Sequence, residues 1–216
     1  VVLRSDEALA HEAQILAAWR EVAAPRGIYV KRRPRQASTL VETRRDEIAP
    51  ARAVLGEDAP EPLPLQEHGV TYVTRLGDGL STGIFLDQRA TRLRIRELMR
   101  RRTLLNLFCY HAAFTVAAIA GGARASVSVD VAAPAIAAAR ENLGSADPAQ
   151  HRLVRADVLD YLRREGERFD LVVLDPPSFA TTKKHRFRAA QDYARVAELA
   201  LERVSPGGML LACTNH

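Results

Sequence analysis

The sequence predicts an α/β fold in which a doubly wound, mostly parallel sheet follows a small N-terminal α+β appendage. From about residue 89 onwards, short apolar runs alternate with segments that have helical spacing. The runs are apolar throughout, which is typical of parallel strands buried on both faces. We therefore place the appendage and its linker at residues 1–88, and the sheet domain at residues 89–216.

The appendage begins with a predicted helix. Ser5 can cap this helix, which keeps its apolar residues at helical spacing as far as Pro25. Residues 27–31 alternate like a strand, and a basic run follows at residues 31–35.

Two segments then lead into the sheet domain. Residues 43–68 are charged and rich in proline, which indicates a linker or an irregular excursion. Residues 70–75 and 81–86 predict a pair of strands joined around Gly77-Asp78-Gly79.

The sheet domain is predicted as helices and strands in alternation. Such a pattern favours parallel strands connected by crossover helices. The helices are predicted at residues 91–101, 114–120, 134–143, 158–164 and 191–204, and the strands at 104–108, 126–129, 151–154, 171–174 and 209–213.

The composition is that of a folded protein with a modest basic excess. The 216 residues carry a net charge of +5, and 47% of them are hydrophobic, which can fill a core and is compatible with a polyanionic partner. Two cysteines are too few for a disulfide framework, and no apolar run reaches about 18 residues. We expect a cytoplasmic protein without a metal site, and a sequence that is part of a longer chain.

Acidic residues follow the predicted strands, where ligands of doubly wound sheets bind. Asp130 follows the second strand and can accept hydrogen bonds from both ribose hydroxyls of a nucleoside cofactor. Asp157 follows the third strand and can accept one from an adenine amino group. Each carboxylate can equally cap the next helix.

The fourth strand ends in Asp175-Pro176-Pro177-Ser178-Phe179. Two prolines cannot continue a ladder, and they fix the backbone in an extended turn with free carbonyls. This segment predicts a clamp for a flat polar group.

Five segments together carry a family resemblance. Residues 83–89, 105–110, 128–130, 156–157 and 175–179 resemble, in this order, the class I S-adenosylmethionine-dependent methyltransferases that modify bases of bacterial 23S ribosomal RNA. Both the 5-methylcytosine and the 7-methylguanine branches are similar, and the likeness spans residues 70–216.

The resemblance implies a seven-stranded fold, S-adenosylmethionine as methyl donor and an RNA base as acceptor. Five strands are visible here, and we expect the last two beyond His216. The implied cofactor-binding residues are Asp87, Arg89, Asn106, Phe108, Tyr110, His111, Ala112, Asp130, Val131, Asp157, Val158 and Asp175.

One departure concerns the loop after the first strand. Relatives carry Tyr-Thr-Gly-Gly where this chain has Tyr110-His111-Ala112-Ala113. Glycine there takes a positive φ easily, so alanine costs roughly 1 kcal/mol if the same turn forms. His111 either replaces the threonine beside the cofactor carboxylate or is a solvated loop residue.

The acceptor atom divides the two branches. Cytosine carbon 5 requires a cysteine thiolate that adds to carbon 6, but Asn215 occupies the position where the cytosine branch carries that cysteine. Cys213 takes the role only after a register shift of two residues, and packing within the strand is its other explanation. Guanine N7 needs alignment and no nucleophile. We therefore predict a nitrogen acceptor such as guanine N7.

The predicted catalytic residues are those that hold the base. Asp175 and the carbonyls around Pro176 and Pro177 accept its hydrogen bonds, while Phe179 offers a ring for stacking. Ser178 and Asn215 line the same pocket.

Basic residues predict the RNA contacts. Lys183, Lys184 and Arg186 follow the clamp and can hold phosphates beside the target base. Seven arginines between residues 89 and 102 favour a solvated helix face with ion pairs, apart from Arg89 near the cofactor. Two other functions remain open: a small-molecule methyltransferase, and a non-catalytic RNA-binding relative.

Overall fold

The computed structural model describes residues 1–33, 46–164, 166–177, 179–181 and 186–214, with residues 179–181 and 186–191 described by their backbone alone. The chain divides into two compact units. The first comprises residues 1–65 and 73–84, and the second comprises residues 66–72 and 85–216.

The first unit begins with two short helices where the sequence predicts one. Helix α1 spans Asp6–Ala10 and helix α2 spans Glu12–Ala23. The Ser5 hydroxyl accepts a hydrogen bond from the Ala8 amide at 3.1 Å, which confirms the predicted cap. Helix α2 ends at Ala24, whose φ of 40° lies in the left-handed region.

Four very short strands complete the core of this unit. Strand β1 (Val2–Leu3) pairs in parallel with β3 (Lys31–Arg32), and β2 (Gly27–Ile28) pairs antiparallel with β4 (Leu55–Gly56). The predicted strand at 27–31 is therefore two strands in different sheets, and the predicted linker contains β4. The buried cluster beneath them comprises Leu3, Leu16, Ile28 and Val30.

A hairpin was predicted for residues 70–75, but with the wrong partner strand. Strand β6 (Val70–Thr74) pairs with β5 (Leu63–Glu67), and residues 81–86 form no strand. The two strands meet at His68-Gly69, whose φ angles of 50° and 74° suit a tight hairpin turn. Pro64 obscured β5 in the sequence, but it is exposed in a two-stranded sheet, where a proline is tolerated.

The second unit contains the predicted parallel sheet. Its five strands have the order β13-β10-β7-β8-β9, and every neighbouring pair is parallel. The doubly wound prediction is confirmed, because the order reverses between β7 and β10. The strands are β7 (Thr103–Leu107), β8 (Ala125–Asp130), β9 (His151–Arg155), β10 (Phe169–Leu174) and β13 (Val204–Ala212).

Helices cover both faces of this sheet. Successive residues of each strand face opposite sides, so Leu104 packs with Ile95 and Phe114, whereas Leu105 packs with Leu162 and Val196 across the sheet. The helices are α3 (Arg89–Leu98), α4 (Ala113–Ala120), α5 (Ala133–Leu143), α6 (Val158–Arg164) and α7 (Ala189–Leu201).

Three smaller features complete the second unit. A single 3₁₀ turn at Leu86–Gln88 precedes α3. Strands β11 (Phe179–Thr181) and β12 (Arg186–Arg188) form an antiparallel pair after the Asp175-Pro176-Pro177 segment, where the sequence analysis placed no strand. Within the described ranges, no helix combines the length and apolarity needed to cross a bilayer.

Candidate functional site

The loop between β7 and α4 has an unusual backbone. Phe108, Tyr110 and Ala112 have φ angles of 57°, 48° and 59°, all in the left-handed region. Each costs a residue with a side chain roughly 1–2 kcal/mol, and such strain concentrates at functional sites. Ala112 therefore adopts the positive φ that glycine takes easily.

Backbone hydrogen bonds hold this loop in place. The Cys109 amide donates to the Val129 carbonyl at 3.0 Å, and the Ala112 amide donates to the Cys109 carbonyl at 2.7 Å. The rings of Tyr110 and His111 stack with their centroids 3.8 Å apart. His111 is 4% exposed, so the solvated alternative for this histidine is wrong.

The Asp130 carboxylate links the β7–α4 loop to the loop between β8 and α5 by hydrogen bonds. Its Oδ2 accepts from the Tyr110 amide and its Oδ1 accepts from the Ala132 amide, both at 2.9 Å. A carboxylate has about four lone-pair sites, so each oxygen retains capacity for another donor. The side chain is half-buried, and the neighbouring Val131 is exposed. This arrangement suits two ribose hydroxyls next to a flat apolar ring.

The amino end of α4 directly follows the β7–α4 loop. Among the residues that the structure describes, no side chain caps this helix, whose cap residue is Ala112. Uncapped amides and the helix dipole attract anionic groups such as a carboxylate.

Asn106 lies beneath the loop and is fully buried. Its Nδ2 donates to the Thr115 hydroxyl at 2.9 Å, and that hydroxyl lies 2.7 Å from the Ser128 hydroxyl. Among the residues that the structure describes, its Oδ1 has no hydrogen-bond partner. The predicted cofactor contact of Asn106 stays a prediction.

Asp157 caps α6. Its Oδ1 accepts from the amides of Leu159 and Asp160, at 3.0 and 3.2 Å. Val158 is 3% exposed and belongs to the core. Asp157 therefore caps the next helix, as one of its two alternatives predicted. The contact of Asp157 with adenine and the contact of Val158 with the cofactor stay predictions.

The proline clamp begins directly after β10. Asp175 is half-buried, Pro176 is buried and Pro177 is exposed. Burial raises the pKa of Asp175, and the charge of Asp87 raises it further. Burial is the larger of these two causes.

A cysteine and a tyrosine share this environment. The Tyr193 hydroxyl donates to the Cys213 carbonyl at 3.0 Å. Burial raises the pKa of Cys213 to about 11, with further contributions from Asp175 and Asp87. The thiol is therefore protonated at neutral pH. Burial also raises the pKa of Tyr193, helped by Cys213 and Asp175.

The segment before α3 contacts the same loop. The Phe85 ring is 53% exposed and lies 5.8 Å from the Tyr110 ring, centroid to centroid. Asp87 and Arg89 are exposed, and the Arg89 Nε lies 3.4 Å from the Nε2 of His68.

The arginines of α3 fall into two groups. Arg94 pairs with Glu97 on the surface at 3.1 Å, as predicted for a solvated face. That prediction is wrong for Arg92, which is 2% exposed and forms a buried pair with Glu67.

Several predicted substrate contacts cannot be placed. Ser178, Lys183, Lys184 and Asn215 lie outside the described residues. Phe179 and Arg186 lie in β11 and β12 by their backbones. Their contacts stay predictions.

A family model for S-adenosylmethionine-dependent methyltransferases matches residues 16–216. The chain belongs to this family. Ribosomal RNA large subunit methyltransferase K/L of Chromohalobacter salexigens is 38% identical over 89% of this chain and 25% of that protein. Ribosomal RNA large subunit methyltransferase I of Salmonella arizonae is 39% identical over 73% of this chain and 40% of that protein. The chain thus spans a quarter to two fifths of the length of these relatives.

A solved structure supports the same family. SMU.776, whose crystal structure was determined in complex with SAH, is 35% identical and has a TM-score of 0.85 over 100% of this chain and 55% of that one. S-adenosylmethionine, the cofactor of the family, fits the groups present here: the uncapped end of α4 suits its carboxylate, and Asp130 suits its ribose.

Sequence reasoning missed three residues of this region. Phe85 lies within residues 83–89, which carry part of the family resemblance, but no role was predicted for it. An aromatic residue in such a segment is a local signal of a ring contact. Arg92 and Tyr193 gave no local sequence signal, because their hydrogen-bond partners, Glu67 and Cys213, are 25 and 20 residues away along the chain.

Proposed function

We propose that this chain carries the methyl-transfer site of an enzyme that methylates a 23S rRNA base at a nitrogen atom, with guanine N7 as acceptor. Membership of the family supports S-adenosylmethionine as the donor. The names of the K/L and I relatives support large-subunit ribosomal RNA as the substrate. The observation that carries the choice of acceptor is the state of the cysteines.

Neither cysteine has the properties of a nucleophile. The chain contains two, and burial raises the pKa of Cys213 to about 11 and that of Cys109 well above its usual value. The Cys213 thiol is therefore almost entirely protonated at neutral pH, whereas the thiolate is the reactive form. Enzymes that attack with cysteine lower this pKa instead.

A nitrogen acceptor makes different demands on the protein. S-adenosylmethionine supplies an electrophilic methyl group on a sulfonium. Because guanine N7 has a lone pair and no proton, the protein needs no general base. The base gains a positive charge, which the carboxylates of Asp87 and Asp175 stabilise.

The remaining task is to hold the base in line. Asp175 accepts hydrogen bonds from the amino and imino groups of guanine. Pro176 and Pro177 fix the backbone around it, which limits the ways in which the base can be misaligned. We assign stacking on the base to Phe179, and further contacts with the base to Ser178 and Asn215, as the sequence predicts.

The substrate RNA also needs contacts outside the pocket. We assign these to Lys183, Lys184 and Arg186, which bind phosphates beside the target nucleotide. Such contacts weaken steeply with salt.

The cysteine substitution tests this proposal. In the full-length protein with unmodified ribosomal RNA, Cys213→Ser retains kcat within about threefold of the wild type, because a protonated, packed thiol contributes little beyond packing. Asp175→Ala, by contrast, lowers kcat by about a hundredfold. Methyl incorporation from labelled S-adenosylmethionine gives both rates, and abolition of activity in Cys213→Ser would refute the nitrogen acceptor.

A further inference from the structure

Arg92 makes three charge-assisted hydrogen bonds inside the second unit. Its Nε and Nη2 donate to the two carboxylate oxygens of Glu67, at 2.8 and 2.7 Å. Its Nη1 donates to the backbone carbonyl of Phe85 at 2.7 Å. The guanidinium also lies 5.7 Å from the centre of the Tyr72 ring. Both charged side chains are at most 3% exposed.

The third bond reaches the edge of the candidate site. The Phe85 carbonyl is the last group before the 3₁₀ turn Leu86–Gln88, which contains Asp87. The Phe85 ring contacts the ring of Tyr110, whose amide donates to Asp130. A single guanidinium thus connects the β5–β6 hairpin to the segment that faces the strained loop.

Stability alone is a weak reason for such an arrangement. Apolar residues of similar size often replace a buried ion pair without loss of stability. Only arginine, with its planar fork, can bind both carboxylate oxygens and a third acceptor at once, whereas lysine is a compact point charge.

We propose that Arg92 is a positioning residue for the cofactor site, which fixes the Phe85–Gln88 segment against the Tyr110 loop through its bond to the Phe85 carbonyl. This inference rests on the proposed cofactor contacts of that loop and not on the RNA acceptor. It predicts that loss of the guanidinium weakens cofactor binding in a protein that is still folded.

The test measures binding of S-adenosylhomocysteine to the full-length protein by calorimetry, at a temperature well below every unfolding midpoint. Arg92→Lys weakens binding by about tenfold, because the turn loses its anchor. The control is Arg94→Lys, on the exposed face of the same helix, and it changes the affinity by less than about twofold.

A double variant separates positioning from folding. Glu67→Leu combined with Arg92→Met replaces the ion pair by apolar groups and leaves no charge buried. The expected result is a wild-type unfolding midpoint with affinity still reduced about tenfold. Wild-type affinity in this folded variant would overturn the proposal.

The affinity test of Arg92 does not depend on which base atom is methylated. If the wild type bound S-adenosylhomocysteine but left ribosomal RNA unmodified, the proposed function would fail while the ratio of affinities still decided the role of Arg92. Hydrogen exchange at the amides of residues 85–88 gives a second readout, and it is faster in the double variant than in the wild type.

Discussion

At the residue scale, the ionisation of Asp175 gives a pH dependence that can be measured. Burial raises the pKa of Asp175, and the charge of Asp87 adds to this effect. The folded protein therefore binds this proton more tightly than the unfolded chain does. Asp175 contributes stability below its unfolded pKa, and that contribution is lost as the pH rises through the folded pKa.

The rate of methyl transfer follows the same ionisation. We expect kcat to rise with pH as Asp175 becomes a carboxylate, with an inflection above the ordinary aspartate value of about 4. In Asp87→Asn the inflection moves to lower pH, because the like charge is gone. The pH dependence of kcat measures this shift, with Asp160→Asn on α6 as the control. An unchanged inflection in Asp87→Asn would contradict the coupling of the two carboxyl groups.

Ala112 gives a prediction about backbone strain. Glycine adopts its φ of 59° without penalty, so Ala112→Gly raises the free energy of unfolding by about 1 kcal/mol. Thermal unfolding should show a midpoint higher by roughly 2–4 °C. The matched control is Ala113→Gly in the first turn of α4, which lowers stability by about 1 kcal/mol. A lower midpoint for Ala112→Gly would show that the turn carries no strain.

The sequence revealed some of these residues and concealed others. Asp130, Asp175 and Ala112 were accessible because strand ends and missing glycines are local signals. Arg92 was not, since a helical arginine among other arginines predicts a solvated face. Its burial depends on Glu67, which is 25 residues away and lies in a strand that the sequence did not reveal.

At the element scale, the central strands could be predicted because their apolar runs are local and continuous. Strand β10 and helix α6 were placed within two residues of their observed ends. The hairpin of β5 and β6 was missed because its register depends on the partner and on the turn at His68-Gly69. Short strands such as β1 and β3 pair across nearly thirty residues, which no local pattern predicts.

A polar link between β7 and β10 yields a test at this scale. The Asp170 carboxylate accepts from the amide and the hydroxyl of Thr103, at 2.8 and 3.0 Å. Asp170→Ala leaves these donors unpaired and lowers the free energy of unfolding by about 1–3 kcal/mol. Because the link lies at the amino ends of the strands, cofactor affinity stays unchanged.

The control is Glu202→Ala. Glu202 is exposed, and its Oε2 lies 3.6 Å from the Nη2 of Arg203, so this substitution changes the free energy of unfolding by less than about 0.5 kcal/mol. Denaturant unfolding and calorimetry measure the two quantities. A loss of cofactor affinity in folded Asp170→Ala would contradict the separation of the two edges of the sheet.

At the scale of the whole molecule, the chain combines a five-stranded parallel sheet with a loop after β7 that contains three residues of positive φ. It covers 25% and 40% of the length of its relatives K/L and I. The proposed cofactor contacts follow the strands of the central sheet, and the proposed base contacts follow β10 and β13. A net charge of +5 is compatible with an RNA partner.

The identity of the methylated atom distinguishes a nitrogen acceptor from cytosine carbon 5. The full-length protein is incubated with unmodified 23S rRNA and labelled S-adenosylmethionine, and the RNA is digested to nucleosides for mass spectrometry. We expect the label in 7-methylguanosine. Label in 5-methylcytidine would contradict it.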